Sequence, residues 1–264
     1  MKLKALVISN SLSVILTVVI NYYSMFFGIN DHKVGEMSDK YDNLFTPAGY
    51  AFSIWGIIFL MLIAYCYYQI RQVFIKKNKP EYIYKTGWWF TLANLCNASW
   101  VFVWLFEFTG LSVIIMFGIL ISLIMIVVRT NMEKWDAGIA TIFFIWWPIC
   151  IYTGWISVAT IANISAYLSK LNWNGFGVSN TSWTLIMILL ATILNWIMVV
   201  SRNMREFALI GIWALIAIYV RHFYKYHAIA YLALGCAIFL FITVVLHGYK
   251  NRKTSPIAKV KENW

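Results

Sequence analysis

Apolar residues in this chain fall into eight runs, near 5–27, 48–70, 86–106, 110–129, 137–168, 182–201, 206–221 and 228–248, with polar residues collected between them. Most of the runs are close to twenty residues long and almost free of charge, the length that crosses a hydrocarbon core of about 30 Å. The pattern predicts an all-α fold, a polytopic membrane helix bundle. The fifth run is long for one crossing and predicts a helix that tilts or leaves the bilayer in its last turns. The first is longer than the apolar part of a signal peptide and has no small-residue cleavage site after it, so it reads as a mature helix.

Charge orients the bundle. Of the 21 Lys and Arg residues, 16 lie on the side that carries both termini and five (Lys33, Lys40, Lys170, Arg221 and Lys225) lie on the other. Basic loops stay in the cytoplasm, so the termini are expected there and the loop 28–46 outside, as in a bacterial inner (cell) membrane protein. This also accounts for the net charge of +11, which in a soluble chain would point to nucleic acid; no nucleic-acid partner is read here. The composition, 62% hydrophobic and 12% charged with a mean hydropathy of +0.73, makes the lipid bilayer the first partner. The basic tail, 250–264, reads as lying near anionic lipid.

The second run has the most distinctive local pattern, FTPAGYAFSIWGIIFLMLIAYCY over 45–67. Thr46-Pro47 reads as a helix start, where the missing proline N–H is harmless. Gly49, Phe52, Gly56 and Phe59 then put small and aromatic residues on one face, where a helix or a flat ligand could come close. The loop before it, with His32, Glu36, Asp39 and Asp42, reads either as a solvated connector or as a lid over whatever the helices enclose.

Polar residues inside the runs narrow the chemistry, because each must be satisfied without water. In the third, Asn94, Asn97, Trp100, Trp104 and Glu107 share an arc of about 140° at the helical period. In the fifth, Tyr152, Trp155, Ala159, Asn163 and Ala166 share about 80°. Facing each other, such stripes would line a pocket for a planar, mostly apolar ligand; taken singly, the same residues also suit helix bridging. Glu107, at a helix end, reads as a solvated carboxylate, and His222 and His227 as residues of an external turn. The absence of a mid-run lysine speaks against a retinal Schiff base, and four scattered histidines against a di-iron site. Cys66, Cys96, Cys150 and Cys236 lack metal-ligand spacing and read as small core residues. No metal site and no catalytic residue is assigned, and no cofactor is required.

The order of these segments resembles the TspO/MBR family, the tryptophan-rich sensory proteins related to the translocator protein. The carriers are the proline-containing start Thr46-Pro47 through Trp55, Cys96-Asn97-Ala98-Ser99-Trp100, and Trp155, Ala159 and Asn163 in a Trp-x-x-x-Ala-x-x-x-Asn pattern, over roughly residues 5–172. The resemblance implies a five-helix core, 1–172, enclosing a pocket covered by the first loop. Three further spans over 173–249 would pack on that core. Carried over by position, the ligand-binding candidates are Pro47, Tyr50, Trp55, Asn97, Trp100, Tyr152, Trp155, Ala159 and Asn163. The implied ligand is a small planar hydrophobic molecule, with porphyrin or haem as the type, and the implied role a membrane sensor or receptor. Transport of such ligands is the alternative, porphyrin degradation a third, and self-association as a homodimer stays open. The chain departs from the family pattern in having Pro47-Ala48-Gly49-Tyr50 where a double proline and a tryptophan are common.

Overall fold

The computed structural model describes residues 2–41 and 43–252; Asp42 and the part of the basic tail beyond Arg252 lie outside the described residues. Ten helices make up the described chain. They are α1 (Lys2–Phe26), α2 (Val34–Lys40), α3 (Gly49–Ile75), α4 (Glu81–Thr86), α5 (Trp89–Leu105), α6 (Thr109–Arg129), α7 (Ile139–Lys170), α8 (Asn180–Arg202), α9 (Arg205–His222) and α10 (His227–Lys250). Six of them, α1, α3, α6, α7, α8 and α10, are long and apolar enough to cross a membrane. The shorter α5 and α9 run within the same bundle, α5 against α1 and α6, α9 against α7, α8 and α10. The eight predicted runs therefore correspond to eight bundle helices, and the two short helices α2 and α4 sit in the connections.

Local chemistry explains where helices stop. Gly87 (φ 56°) separates α4 from α5, and Asn203, in the left-handed conformation, ends α8. Ser179 caps α8 by accepting from the Ser182 N–H at 3.1 Å. The long fifth run is one continuous helix with a π-turn at Ile142–Trp146, placed just before Pro148. A wider turn there absorbs the ring's steric conflict and missing donor without ending the helix.

The second span departs from expectation at its start. Pro47 is not the first helical residue. Ala48 is extended, a 3₁₀ turn covers Gly49–Ser53, and regular α-helix begins only at Ile54. The reason is tertiary. The Ala48 N–H donates to the Ala217 carbonyl (3.1 Å) and the Trp213 indole donates to the Ala51 carbonyl (3.1 Å), so α9 holds this segment out of helical geometry. The expectation that Gly49 and Gly56 mark a close helix approach also fails, since a Cβ at either would meet open space.

Close approach occurs instead where α9 meets its neighbours. A Cβ on Gly154 of α7 would lie 2.9 Å from the Phe207 carbonyl oxygen, and Gly211 of α9 leaves room for the Asn195 side chain of α8. Small residues at membrane helix crossings let backbones come together in this way. One buried cluster accordingly runs from Ile58 and Ile119 through Trp155 to Ile210, Leu215 and Leu240, without a break between the first five bundle helices and the last three.

Substitution Gly154→Val is expected to push α9 off α7 and destabilise the protein by about 1–3 kcal/mol, as overpacking does. Gly235→Ala, at a position with open space, should be nearly neutral. Unfolding midpoints in detergent check the pair; equal midpoints would refute the account of this crossing.

Candidate functional site

Between α3, α5, α6 and α7, under α2, lies a cavity lined by Pro47, Phe52, Trp55, Trp100, Trp104, Met116, Trp155, Ala159, Ala162, Asn163 and Ala166, with Val34 and Ser38 above. The helices present aromatic rings from two sides and a row of alanines from the third. Trp55 and Trp155 meet nearly edge-on (centroids 6.4 Å, 84°), and Phe52 meets Trp155 in the same way at 5.9 Å. Opposite them Trp100 and Trp104 stack at 5.5 Å and 13°. These are favourable aromatic geometries, and they hold flat ring faces at fixed angles.

Polar groups around the cavity fall into two kinds. Asn163 is fully engaged: its Oδ1 accepts from the Trp100 indole (2.9 Å) and its Nδ2 donates to Ser112 Oγ (2.9 Å). It therefore positions a wall of the site. Trp155 is different. Its ring is 2% exposed, and among the described residues its indole N–H has no acceptor. A buried donor left unpaired costs about 1–3 kcal/mol.

Of the nine residues expected at a site, six line this cavity: Pro47, Trp55, Trp100, Trp155, Ala159 and Asn163. Asn97 and Tyr152 do not. Asn97 Nδ2 donates to the Tyr152 hydroxyl (2.9 Å) while its Oδ1 accepts from Asn21 (3.0 Å), so the pair bridges α1, α5 and α7 behind the ring of Trp55. Tyr50 lies outside the cavity, 42% exposed, with its ring edge-on to Trp213 of α9. Trp104 was grouped on the α5 stripe without being singled out; its place here follows from that stripe. Val34, Ser38 and Met116 had no signal in the sequence, because their part depends on which loop and helix close over the stripe.

The loop 28–46 forms a cover. Met37 of α2 is fully buried among Val101, Trp104, Leu105 and Ala166, and the Trp104 indole donates to the Val34 carbonyl at 3.4 Å. Glu107 is the clasp. Its carboxylate accepts from Lys40 Nζ (2.7 Å) and from the Tyr41 hydroxyl, His32 Nε2 lies 3.7 Å away, and Lys170 donates to its backbone carbonyl (2.6 Å). The freely solvated carboxylate expected from sequence is thus a partly buried hub. His222, also expected in an exposed turn, is 5% exposed and donates to the Leu44 carbonyl at 2.8 Å. Arg221 beside it donates to the Pro47 carbonyl (3.3 Å) and approaches Asp39 of α2 at 3.8 Å. Among the described residues no group of three His, Cys, Asp or Glu side chains gathers to hold a metal.

These features define a polytopic helical membrane protein with a covered, tryptophan-walled cavity among the helices of its first 170 residues. The sequence pattern of the TSPO-like protein family matches residues 7–246, nearly the whole chain, and the protein belongs to that family. The match reaches past residue 172 through α8, α9 and most of α10, so the last three spans are covered by the family pattern too. Neither a curated protein nor a solved structure matches the chain.

The clasp has a defined pH range. Hydrogen bonds from Lys40 and Tyr41 hold the Glu107 carboxyl below the usual carboxylate range, so its contribution is present above the unfolded pKa and is lost only as pH falls through the lower folded value. Burial, with Glu107 beside it, pushes the Tyr41 hydroxyl up to about 12, so that donor stays protonated well into alkaline solution. In a His32→Gln background, which removes the imidazole 3.7 Å from the Glu107 carboxylate, hydrogen exchange of the α2 amides, corrected for intrinsic rates, should therefore be flat between about pH 5 and about pH 9. Adding Glu107→Gln should speed it across that whole range. A step near neutrality in the His32→Gln profile would contradict the assignment.

Proposed function

We propose that the protein is a membrane receptor for a planar, mostly apolar ligand of the porphyrin class, held between Trp55, Trp100 and Trp155. The observation that carries this reading is the buried, unpaired indole N–H of Trp155 in a wall of stacked aromatic rings. A ligand with flat faces and an in-plane or peripheral acceptor would satisfy both features, the faces by stacking and the acceptor by taking the Trp155 hydrogen. The alanine row of α7 gives such a ring system room to lie against the helix. Asn97 and Tyr152 act behind the site by fixing the Trp55 side of it.

The cavity is closed down to about 50 Å³, far below the roughly 300–1,000 Å³ of ordinary ligand sites. Binding therefore requires α2 to lift, and its contacts identify how. Lifting α2 takes release of Lys40 and Tyr41 from Glu107, of Asp39 from Arg221, of the Val34 carbonyl from Trp104, and of Met37 from its apolar cluster. The ligand enters from the face opposite the termini, which the Lys and Arg distribution makes the external one.

Titration with protoporphyrin, followed by absorbance, tests the site. Trp155→Ala should weaken binding by about 1–3 kcal/mol, the range for truncating a stacked aromatic anchor. Trp155→Phe keeps a ring but removes the donor and should cost about 1 kcal/mol. Trp196→Ala, on the half-exposed face of α8, is the control and should bind as the parent does. If both Trp155 variants are folded and bind like the parent, the ligand is elsewhere. Net flux into sealed vesicles would move the reading from receptor to transporter.

Sidedness has its own measurement. In intact cells an impermeant thiol reagent should modify Gly35→Cys and leave Val260→Cys untouched. The opposite pattern would invert the orientation.

A further inference from the structure

A second and larger cavity, about 710 Å³, lies on another side of α7, between the outer ends of α7 and α8. The two cavities share no lining residue; the segment Asn43–Pro47 separates them, with Phe45 facing the larger one and Pro47 the smaller. The larger one exists because α7 and α8, consecutive in the chain, pack mainly through α9 rather than on each other, so their outer ends leave a wedge under the connection 171–179.

The lining changes character with depth. At the mouth stand the exposed side chains of Asn172 and Asn180. One to two turns further in, the Ser165 and Thr184 hydroxyls are turned back onto their own helices, donating to the Ile161 (2.9 Å) and Asn180 (2.8 Å) carbonyls, and so present methylene and methyl surface. The deepest residues, Ile161 and Met187, are apolar. From Ile161 to Lys170, the last residue of α7, the helical rise is about 14 Å, close to the roughly 15 Å of hydrocarbon in one leaflet. No charged side chain lines the cavity. The cations at its edge are engaged elsewhere: Lys225 lies over the ring of Tyr226, 5.3 Å from its centroid, Lys170 donates to the Glu107 carbonyl, and Arg221 donates to the Pro47 carbonyl.

We propose that this cleft binds a lipid with an uncharged, hydroxyl-bearing head of the glycerol type, its alkyl chain lying along Ile161 and Met187. Three properties fix that chemistry. The polarity gradient runs in the direction of a lipid in the adjacent leaflet. The cleft lies between two membrane-crossing helices, so a chain can enter sideways from the bilayer. The mouth offers amides that donate and accept but has no lining charge to balance a carboxylate or phosphate withdrawn from water. The site is independent of the tryptophan-walled cavity and stands whether or not that cavity takes a porphyrin.

The test uses the full chain in phosphatidylcholine nanodiscs and an alkylglycerol with a diazirine near the chain end. Irradiation should place the label in peptides containing Ile161–Leu168 and Met187. Cavity-filling Ser165→Phe and, separately, Met187→Trp should each cut that labelling by about fivefold, as loss of chain space requires. Probes of equal chain length ending in carboxylate or phosphate should label the same peptides about tenfold less, the effect of an uncompensated charge. Trp155→Ala should leave the labelling unchanged, which separates this site from the porphyrin reading. The proposal is overturned by labelling spread evenly over the lipid-facing helices, by a preference for either anionic probe, or by undiminished labelling in a folded filling variant. Should both fillings misfold, the peptide map and headgroup preference of the parent protein decide alone.

Discussion

The structure depends most on the seam between α9 and the segment Leu44–Ala51, which lies outside regular α-helix. In a bilayer each unpaired backbone group costs several kcal/mol, so a stretch outside regular helix persists only where protein supplies partners. Here α9 supplies them. Ala217 accepts from the Ala48 N–H, while Trp213, Arg221 and His222 donate to the carbonyls of Ala51, Pro47 and Leu44. With those bonds the chain can run extended past Pro47, and Phe52 and Trp55 reach the cavity wall. The last three bundle helices are therefore part of how the tryptophan-walled cavity is built, although none of their residues lines it.

A second polar system holds the opposite side of the bundle. Asn10 donates to Gln69 and accepts from Thr91, Thr17 donates to the Asn94 carbonyl, and Asn21 donates to Asn97, which donates to Tyr152. The ladder joins α1, α3, α5 and α7 at successive depths. Interhelical hydrogen bonds of this kind average about 0.6 kcal/mol in membrane proteins, so their sum sets register more than it supplies stability. It fixes the height at which Trp55 and Trp100 meet the cavity. The aromatic walls are thus tied to buried bonds between helices, whereas α2 is held from the water-facing end.

The cover is held differently from the spans. Its anchors are Met37 in a small apolar cluster and a set of ionic contacts on Glu107 and Arg221 at the water-facing end. Exposed ion pairs are weakened by salt, whereas the buried seams are shielded from it. The proposed entry of a ligand therefore asks the cover to move and leaves the helices beneath in place. The same division explains why the cavity is small with the cover down.

Much of this was legible in the sequence. Eight apolar runs set the number of bundle helices, since length and lack of charge mark the segments that leave water, and the stripes on α5 and α7 named six of the wall residues because helical spacing puts such residues on one face. Tertiary structure decided what spacing cannot express. Asn97 and Asn163 have the same side chain on similar stripes, yet one bridges three helices behind the site and the other orients a tryptophan within it, a difference set by which neighbour comes within 3 Å. Gly49 and Gly56 looked like contact glycines, but the close approaches are at Gly154 and Gly211, because only the packing of α9 determines where backbones meet. The start of regular helix was moved from Pro47 to Ile54 by hydrogen bonds to a helix more than 150 residues further along the chain, and Tyr50 packs against Trp213 of that helix. Glu107 and His222 likewise read as solvated while their partners were unknown. Local pattern determines which segments enter the membrane and which face of each is polar; the partner of each polar group is a long-range property, and it was decided only when the helices came together.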